Sequence, residues 1–564
     1  MTPLEKFLNP LPLPYDFQEW KKLSYKERVK KVCQTWAVQG YGSPLSVAIF
    51  YLIKIVFYVL MFFWFCSFSN DLGSISEFYL WWTNPEALGK FIFWTVLIEV
   101  IGLGGASGPL TGRYTPIIGG VTYFLRPKTI KIPCFTKIPL IKNDSRNWLD
   151  ITLYLALLVS LIRVCIAPSI EPNIVLPVIG LLIICGILDR TIYLAARADI
   201  YLPMAICFMF PLETGHGLKI IWFGIWFWAA FSKLTPNFTY AVSVMLSNSI
   251  LFTPSIFDNF KKSLFKSYPE DLRPSRKASY IAHLGTIIEF VMPILLLVFI
   301  GNSEMTFYAL IALTLFHIFI FANFPMGVPL EWNVIMVFGA WMLFYGNLEF
   351  NPMEITSPIL IVTLLISLFV LPLLGNLFPK YISFLLSMRY YAGTWAYSVW
   401  LFKADSKDVI ENKIPKTSKD VLVQMGKLYE NDFAEGIVSM ILGFRLMHLP
   451  GRLLNQLIPK AIDNIADYRW VDGEMLAGEV VGWNFGDGHL HHEVLLNSIQ
   501  KRCNYDSGEL RVIMVESPQF HTQNMEYRIY DAKDGLIEKG IGNTKKLKDQ
   551  QPWENSNYLS DLIV

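Results

Sequence analysis

The constraint that dominates this chain is a succession of apolar stretches, each close to the ~20 residues a helix needs to cross a bilayer's hydrocarbon core. They fall at about residues 45–66, 88–104, 148–167, 174–194, 217–234, 279–300, 306–323 and 358–377, with weaker ones at about 238–256 and 332–346. Charged residues make up only 17% of the chain, against about 25% in soluble domains. Mean hydropathy is +0.40. The chain therefore reads as an integral membrane protein in contact with the lipid bilayer. Its net charge of +2 offers no basic footprint for nucleic acid, and no such partner is expected. The seven cysteines include no C-x-x-C pair, so neither a disulfide framework nor a zinc ribbon is expected.

Loop charges set the expected topology. The 105–147 loop carries Arg113, Arg126, Lys128, Lys131, Lys137, Lys142 and Arg146, and the 257–278 loop carries Lys261, Lys262, Lys266, Arg273, Arg276 and Lys277. Positive loops stay inside, so an even number of crossings must separate them, which favours 238–256 as a span. The expected fold class is a polytopic α-helical membrane protein of about 8–10 spans with a small C-terminal α+β cytoplasmic domain. Both termini are expected in the cytoplasm, at the inner membrane if the host is bacterial. Four regions follow: a basic leader over 1–42, cytoplasmic or interfacial; a transmembrane domain over 43–376; an aromatic interfacial helix over 377–402; and a soluble tail over 403–564.

Polar residues interrupt the apolar pattern at telling places. Glu99 stands before G-L-G-G, where close helix approach or a broken helix is expected. Asp189–Arg190 and Arg197–Asp199 read as pairs at the cytoplasmic edge. In the tail, Asp487 is placed as a helix cap, Glu509–Ser517 as a strand, and Asp534-Gly535 as a hairpin turn. V-V-G-W-N before the cap reads as a strand. His489 and His492 share a helical face, with His491 pointing elsewhere. They are the candidate metal ligands, with Cys503 and His521 as conceivable completions, but two ligands do not make a zinc site and none is assigned.

The densest group lies between Gly215 and Asn333. Lys233 ends an apolar helix, His283 and Glu289 lie on the next, and His317 lies mid-segment on the one after, with Asn323 before the bend P-M-G-V-P. A central charge costs roughly 2.5–3.5 kcal/mol on insertion scales, so each is a functional hypothesis. His283 and Glu289 are six residues apart, about 9 Å along a helix, and do not share a face.

These motifs carry a resemblance. A-F-S-K-L-T-P-N-F-T-Y…L-F-T-P, H-L-G-T-I-I-E-F and L-F-H-I-F-I-F-A-N-F-P-M-G-V resemble the corresponding helices of the vitamin K-dependent gamma-glutamyl carboxylases and the wider horizontally transferred transmembrane superfamily. The overall layout, including L-I-E-V-I-G-L-G and G-W-N-F-G-D-G-H-L-H, is similar to an uncharacterised multi-pass family of actinobacteria. The carboxylase resemblance implies that Lys233 is a general base acting on a quinol, and that an isoprenoid quinol or a lipid is the small-molecule partner. The departures count against peptide carboxylation: Ser232 stands where the family has a second lysine, and the large non-cytoplasmic β-rich domain is missing. The expected function is thus an intramembrane enzyme using Lys233, His283, Glu289 and His317, with Glu99 a weaker candidate. The alternative is a transporter or scaffold in which these groups are structural.

Overall fold

The computed structural model describes residues 3–554 except Ala106, Lys137, Leu140, Pro254, 324–329 and Gly486. The bend P-M-G-V-P lies outside the described residues. Along the chain run α1 (Tyr25–Gln39), α2 (Leu45–Cys66), α3 (Pro85–Val100), α4 (Trp148–Ile166), α5 (Pro172–Leu188), α6 (Ala198–Cys207), α7 (Thr214–Ser232) and α8 (Asn237–Asn248). After a short β1–β2 hairpin (Phe265–Ser267, Asp271–Pro274) come α9 (Arg276–Val298), α10 (Ser303–Phe321), α11 (Leu330–Gly346) and α12 (Pro358–Leu377).

Among the described residues, five helices are long and apolar enough to cross a membrane: α2, α4, α9, α10 and α12. A sixth is obtained if the pair Asn431–Met447 and Leu449–Ala461, bent by 106°, counts as one span. That is fewer than the eight to ten expected, because α3 has only 16 residues and α5, α6 and α11 also fall below 18, and burial shows what covers such a helix. Along α3 every residue from Ala87 to Val100 is buried, whereas α2 exposes Leu52, Ile53, Val56 and Leu60. A helix that is apolar all round can be covered by protein as well as by lipid. The expected span at 238–256 is corrected too. α8 has only 12 residues and is followed by a 3-10 turn at Ile250–Phe252, so it covers about 18 Å at 1.5 Å per residue, too little for a crossing. The even-crossing argument loses that support.

The leader is also covered by protein. Ser24 and Glu27 form a capping box that starts α1, whose buried stripe includes Val29, Val32, Cys33 and Trp36. Gly443 sits directly under Trp36, so this face meets a C-terminal helix rather than a lipid surface.

The C-terminal half begins with β3 (Tyr397–Lys403), followed by α13 (Asn431–Met447), α14 (Leu449–Ala461), β4 (Tyr468–Asp472), α15 (Gly473–Val480), α16 (Glu493–Cys503), β5 (Leu510–Val515), β6 (Asn524–Asp531) and β7 (Gly535–Asn543). The sheet order is β4-β3-β5-β6-β7, antiparallel throughout, with Trp400 opposite both Val471 and Val512. The expected interfacial helix over 377–402 is therefore corrected: its last residues are a strand inside the sheet. V-W-L-F is buried on both faces, and such a run cannot be assigned from periodicity. Trp400, Phe402, Val512 and Met514 join the core of the membrane helices. Val399, Leu401, Ile513 and Val515 join the core under α1, α13 and α14. V-V-G-W-N is not a strand, since Val480 ends α15. The β5 strand and the Asp534-Gly535 turn are as expected, whereas Asp487 caps a short 3-10 turn over Gly488–His491 rather than the helix itself, which starts after His492.

Buried cations tie the two halves together. Arg146 Nε donates to Asp189 Oδ2 at 2.8 Å, and its Nη1 reaches the Val481 carbonyl at 3.4 Å. Arg113 Nη2 donates to the Gly478 carbonyl at 2.9 Å. The 105–147 loop is thus partly an internal brace. Asp189 pairs with Arg146 rather than Arg190. Lys90 on α3 donates to the Val164, Cys165 and Ala167 carbonyls, satisfying the open end of α4 as a cation should. Removing one partner of a buried pair leaves an uncompensated charge costing about 3–5 kcal/mol, whereas replacing both with apolar groups is often neutral. Arg146→Met is accordingly expected to lower the melting temperature in detergent sharply, and Arg146→Met/Asp189→Leu to recover most of the loss.

Candidate functional site

Pro236 has no N–H to continue the ladder of α7 and instead opens α8, so Lys233 is left at the C-terminal cap of α7. Trp226, Ala229 and Lys233 share a face at spacings of three and four. On α9 the same spacing aligns Ala282, Gly285 and Glu289. With His317 on α10 and Asn333 and Met336 on α11, these residues line a cavity of about 230 Å³. Small side chains create the space. A Cβ at Gly285 would meet only Phe316, at 3.7 Å.

Lys233 Nζ donates to Glu289 Oε2 at 2.5 Å, and both side chains are buried. Phe238 and Phe316 flank the ammonium, at 5.7 and 6.0 Å from their ring centres. His317 sits in a fixed network. Trp226 Nε1–H donates to His317 Nε2 at 3.1 Å, and indole nitrogen is a donor only. His317 Nε2 must therefore be unprotonated, and Nδ1–H donates to Asn333 Oδ1 at 3.0 Å. The ring is held neutral in one tautomer, a positioning arrangement rather than a proton relay.

Three of the four expected residues, Lys233, Glu289 and His317, meet at this cavity. His283 does not. It is exposed on α9, because six residues turn a helix through 600°, leaving it about 120° from Glu289. Glu99 also lies outside the cavity lining. It accepts from the Gly105 N–H at 3.1 Å, beside a buried Lys54–Glu331 pair of 2.8 Å.

The segment before β3 and the C-terminal half supply further walls that no sequence signal assigned to a site. Tyr390, Tyr391 and Trp395 line the cavity, as do Arg445 and Glu474. Arg445 binds Asp472 through Nε at 2.5 Å and Nη2 at 3.0 Å, and Glu474 at 2.6 Å. Arg197 pairs with Asp199 at 3.4 Å, as expected from the sequence, but the pair is buried rather than interfacial. Its guanidinium lies over Trp332 and Tyr390, at 5.2 and 5.6 Å. Arg197 also adopts left-handed backbone (φ +51°), a strain of the kind that persists where surroundings enforce it.

A second polar cluster lies apart from this cavity. His489 Nε2 is 3.1 Å from Glu516 Oε2 and His492 Nδ1 is 3.3 Å from Glu516 Oε1. His491 turns away to Ser398 Oγ, at 2.6 Å, as its position in the sequence suggested. Neither Cys503, buried at the end of α16, nor the exposed His521 belongs to the cluster.

Residues 6–560 match the family model described as "Transmembrane protein of unknown function (DUF3556)". The chain belongs to that family. The match covers both the membrane helices and the sheet. No curated protein and no solved structure matches the chain, so the carboxylase resemblance rests on the three helical motifs alone.

The Lys233–Glu289 pair generates a test of its own. Either Lys233→Met or Glu289→Leu alone is expected to destabilise the protein by about 3–5 kcal/mol, because each strands a buried charge. The double variant is expected to recover most of this. A double-mutant cycle of detergent melting temperatures measures the coupling, and additive losses would show that the two charges do not depend on each other.

Proposed function

We propose that this integral membrane protein is an enzyme that draws an isoprenoid quinol or a lipid from the bilayer into the cavity beside Lys233. The observation that carries the reading is a largely apolar cavity, lined in part by the candidate spans α9 and α10, with a Lys–Glu pair in its lining. Its volume lies just below the range of about 300–1,000 Å³ for small-molecule sites. It suits a ring or a head group, leaving a long tail to the lipid.

The chemistry proposed is proton abstraction from a substrate hydroxyl. As an ion pair Lys233 holds an ammonium and is no base. Burial deprives both charges of solvation, and the 2.5 Å contact lets the ammonium proton pass to Glu289, leaving a neutral amine and a carboxylic acid. The amine then takes the substrate's O–H proton, giving a substrate oxyanion and an ammonium, while Glu289 keeps the first proton for later release. His317, neutral and fixed between Trp226 and Asn333, shapes the pocket. The proposal keeps both termini on the cytoplasmic side, which requires helices beyond the five long apolar ones, such as α3, α5 and α11, to cross as well; the exposed Lys128, Lys142, Lys262, Lys266 and Lys277 favour placing both basic loops inside.

A structural reading has its own support: Lys233–Glu289 resembles the other buried pairs, Lys54–Glu331 and Lys131–Asp150, which serve as braces. Two measurements separate the readings. Organic extraction of the purified protein is expected to release a quinone or lipid that is depleted by the cavity-filling Ala229→Phe. Quinone and lipid profiles of a deletion strain are expected to change and to be restored by the wild type, but not by Lys233→Met/Glu289→Leu, a variant expected to stay folded. No bound molecule and an unchanged profile would leave a scaffold or transporter.

A further inference from the structure

We infer that His489, His492 and Glu516 form a binding site for a divalent transition-metal ion of the zinc or ferrous type. The site is independent of the cavity at Lys233. Two short-range features place the histidines. Asp487 caps the turn Gly488–His491 by accepting from the His489 N–H at 3.1 Å, and His492 is the cap residue of α16. Gly488 is required for this placement, since a Cβ there would lie 2.3 Å from the Ala396 carbonyl oxygen. Glu516 comes from elsewhere in the chain, immediately after β5, with its N–H donating to the Glu526 carbonyl at 2.8 Å. The three potential ligands thus stand on a capped turn, a helix start and a sheet, all fixed by backbone hydrogen bonds.

One nitrogen or oxygen from each residue lies within 4.8 Å of the others. Bonds of about 2.0–2.2 Å in tetrahedral array place ligand atoms roughly 3.3–3.6 Å apart, so small side-chain rotations close the site around an ion. Two imidazoles and a carboxylate with an open position are a donor set used for catalytic zinc and for non-haem ferrous iron. The surroundings are those of a metal site. Asp487 Oδ1 stands 3.8 Å from His489 Nδ1, where a carboxylate can orient the ligand through its far nitrogen. Arg528 holds the Glu516 carboxylate and pairs with Glu493 at 2.6 Å. Asp487, Glu493 and Glu516 outnumber the Arg528 guanidinium that pairs with two of them, leaving negative charge for a cation to meet.

The test uses the whole protein purified in detergent, stripped with a chelator and reloaded separately with zinc chloride or, without oxygen, ferrous sulfate. Elemental analysis is expected to find about one ion per chain after desalting, and the melting temperature of the wild type should rise with added ion, as binding to the folded state requires. His489→Ala and Glu516→Gln are expected to lose the ion, and His521→Ala to retain it. Asp487→Asn is expected to weaken binding about 10–100-fold. Should the histidine and glutamate variants not fold, the ion-dependent melting of the wild type still decides. Retention below one ion in ten chains with no melting shift, or equal retention in Glu516→Gln and His521→Ala, overturns the site.

Discussion

Arg146 is the interaction on which the rest of the structure depends. It is fully buried, reaches Asp189 between α5 and α6 with one edge of its guanidinium, and the carbonyl after α15 with another. A guanidinium in low dielectric is tolerated only where its donors are matched. Its position therefore fixes the loop, the membrane helices and the C-terminal half in one arrangement. Arg113, donating to the Gly478 carbonyl within α15, repeats the device.

That interlock makes the cavity. Lys233, Glu289 and His317 come from α7, α9 and α10, but aromatic and charged side chains from Tyr390 to Phe485 complete the wall. Membrane helices alone would leave this space open on one side. Burial of both side chains deprives the Lys233–Glu289 pair of solvation, and that gives it its chemical interest.

Much of the local structure was legible from residues alone. The apolar periodicity located nearly every membrane-side helix, and turn chemistry located Asp487 and the Gly535 hairpin, where φ is +84°. The aromatic run before Lys403 was misread as a helix because a strand buried on both faces has no alternation to reveal it. The number of spans was overestimated because apolar stretches do not reveal where a helix ends: α3 has 16 residues and α8 only 12. The spacing of six already put His283 and Glu289 on different faces of one helix, but it could not show that the cavity forms on the face of Glu289 alone. Glu516, the link between His489 and His492, had no signal at all, since strand pairing brings it there from a distance.

By itself, then, the sequence determined that this chain lives in a membrane, which stretches are helical, and which charges had to find partners. Those are consequences of composition and short-range spacing, where burial of an ionisable group carries its own penalty. Only the tertiary structure decided the partners: Lys233 with Glu289, Arg146 with Asp189, and Glu516 between two histidines. The physical reason is that desolvation acts on each residue separately, whereas compensation requires a second group whose approach depends on how distant segments pack.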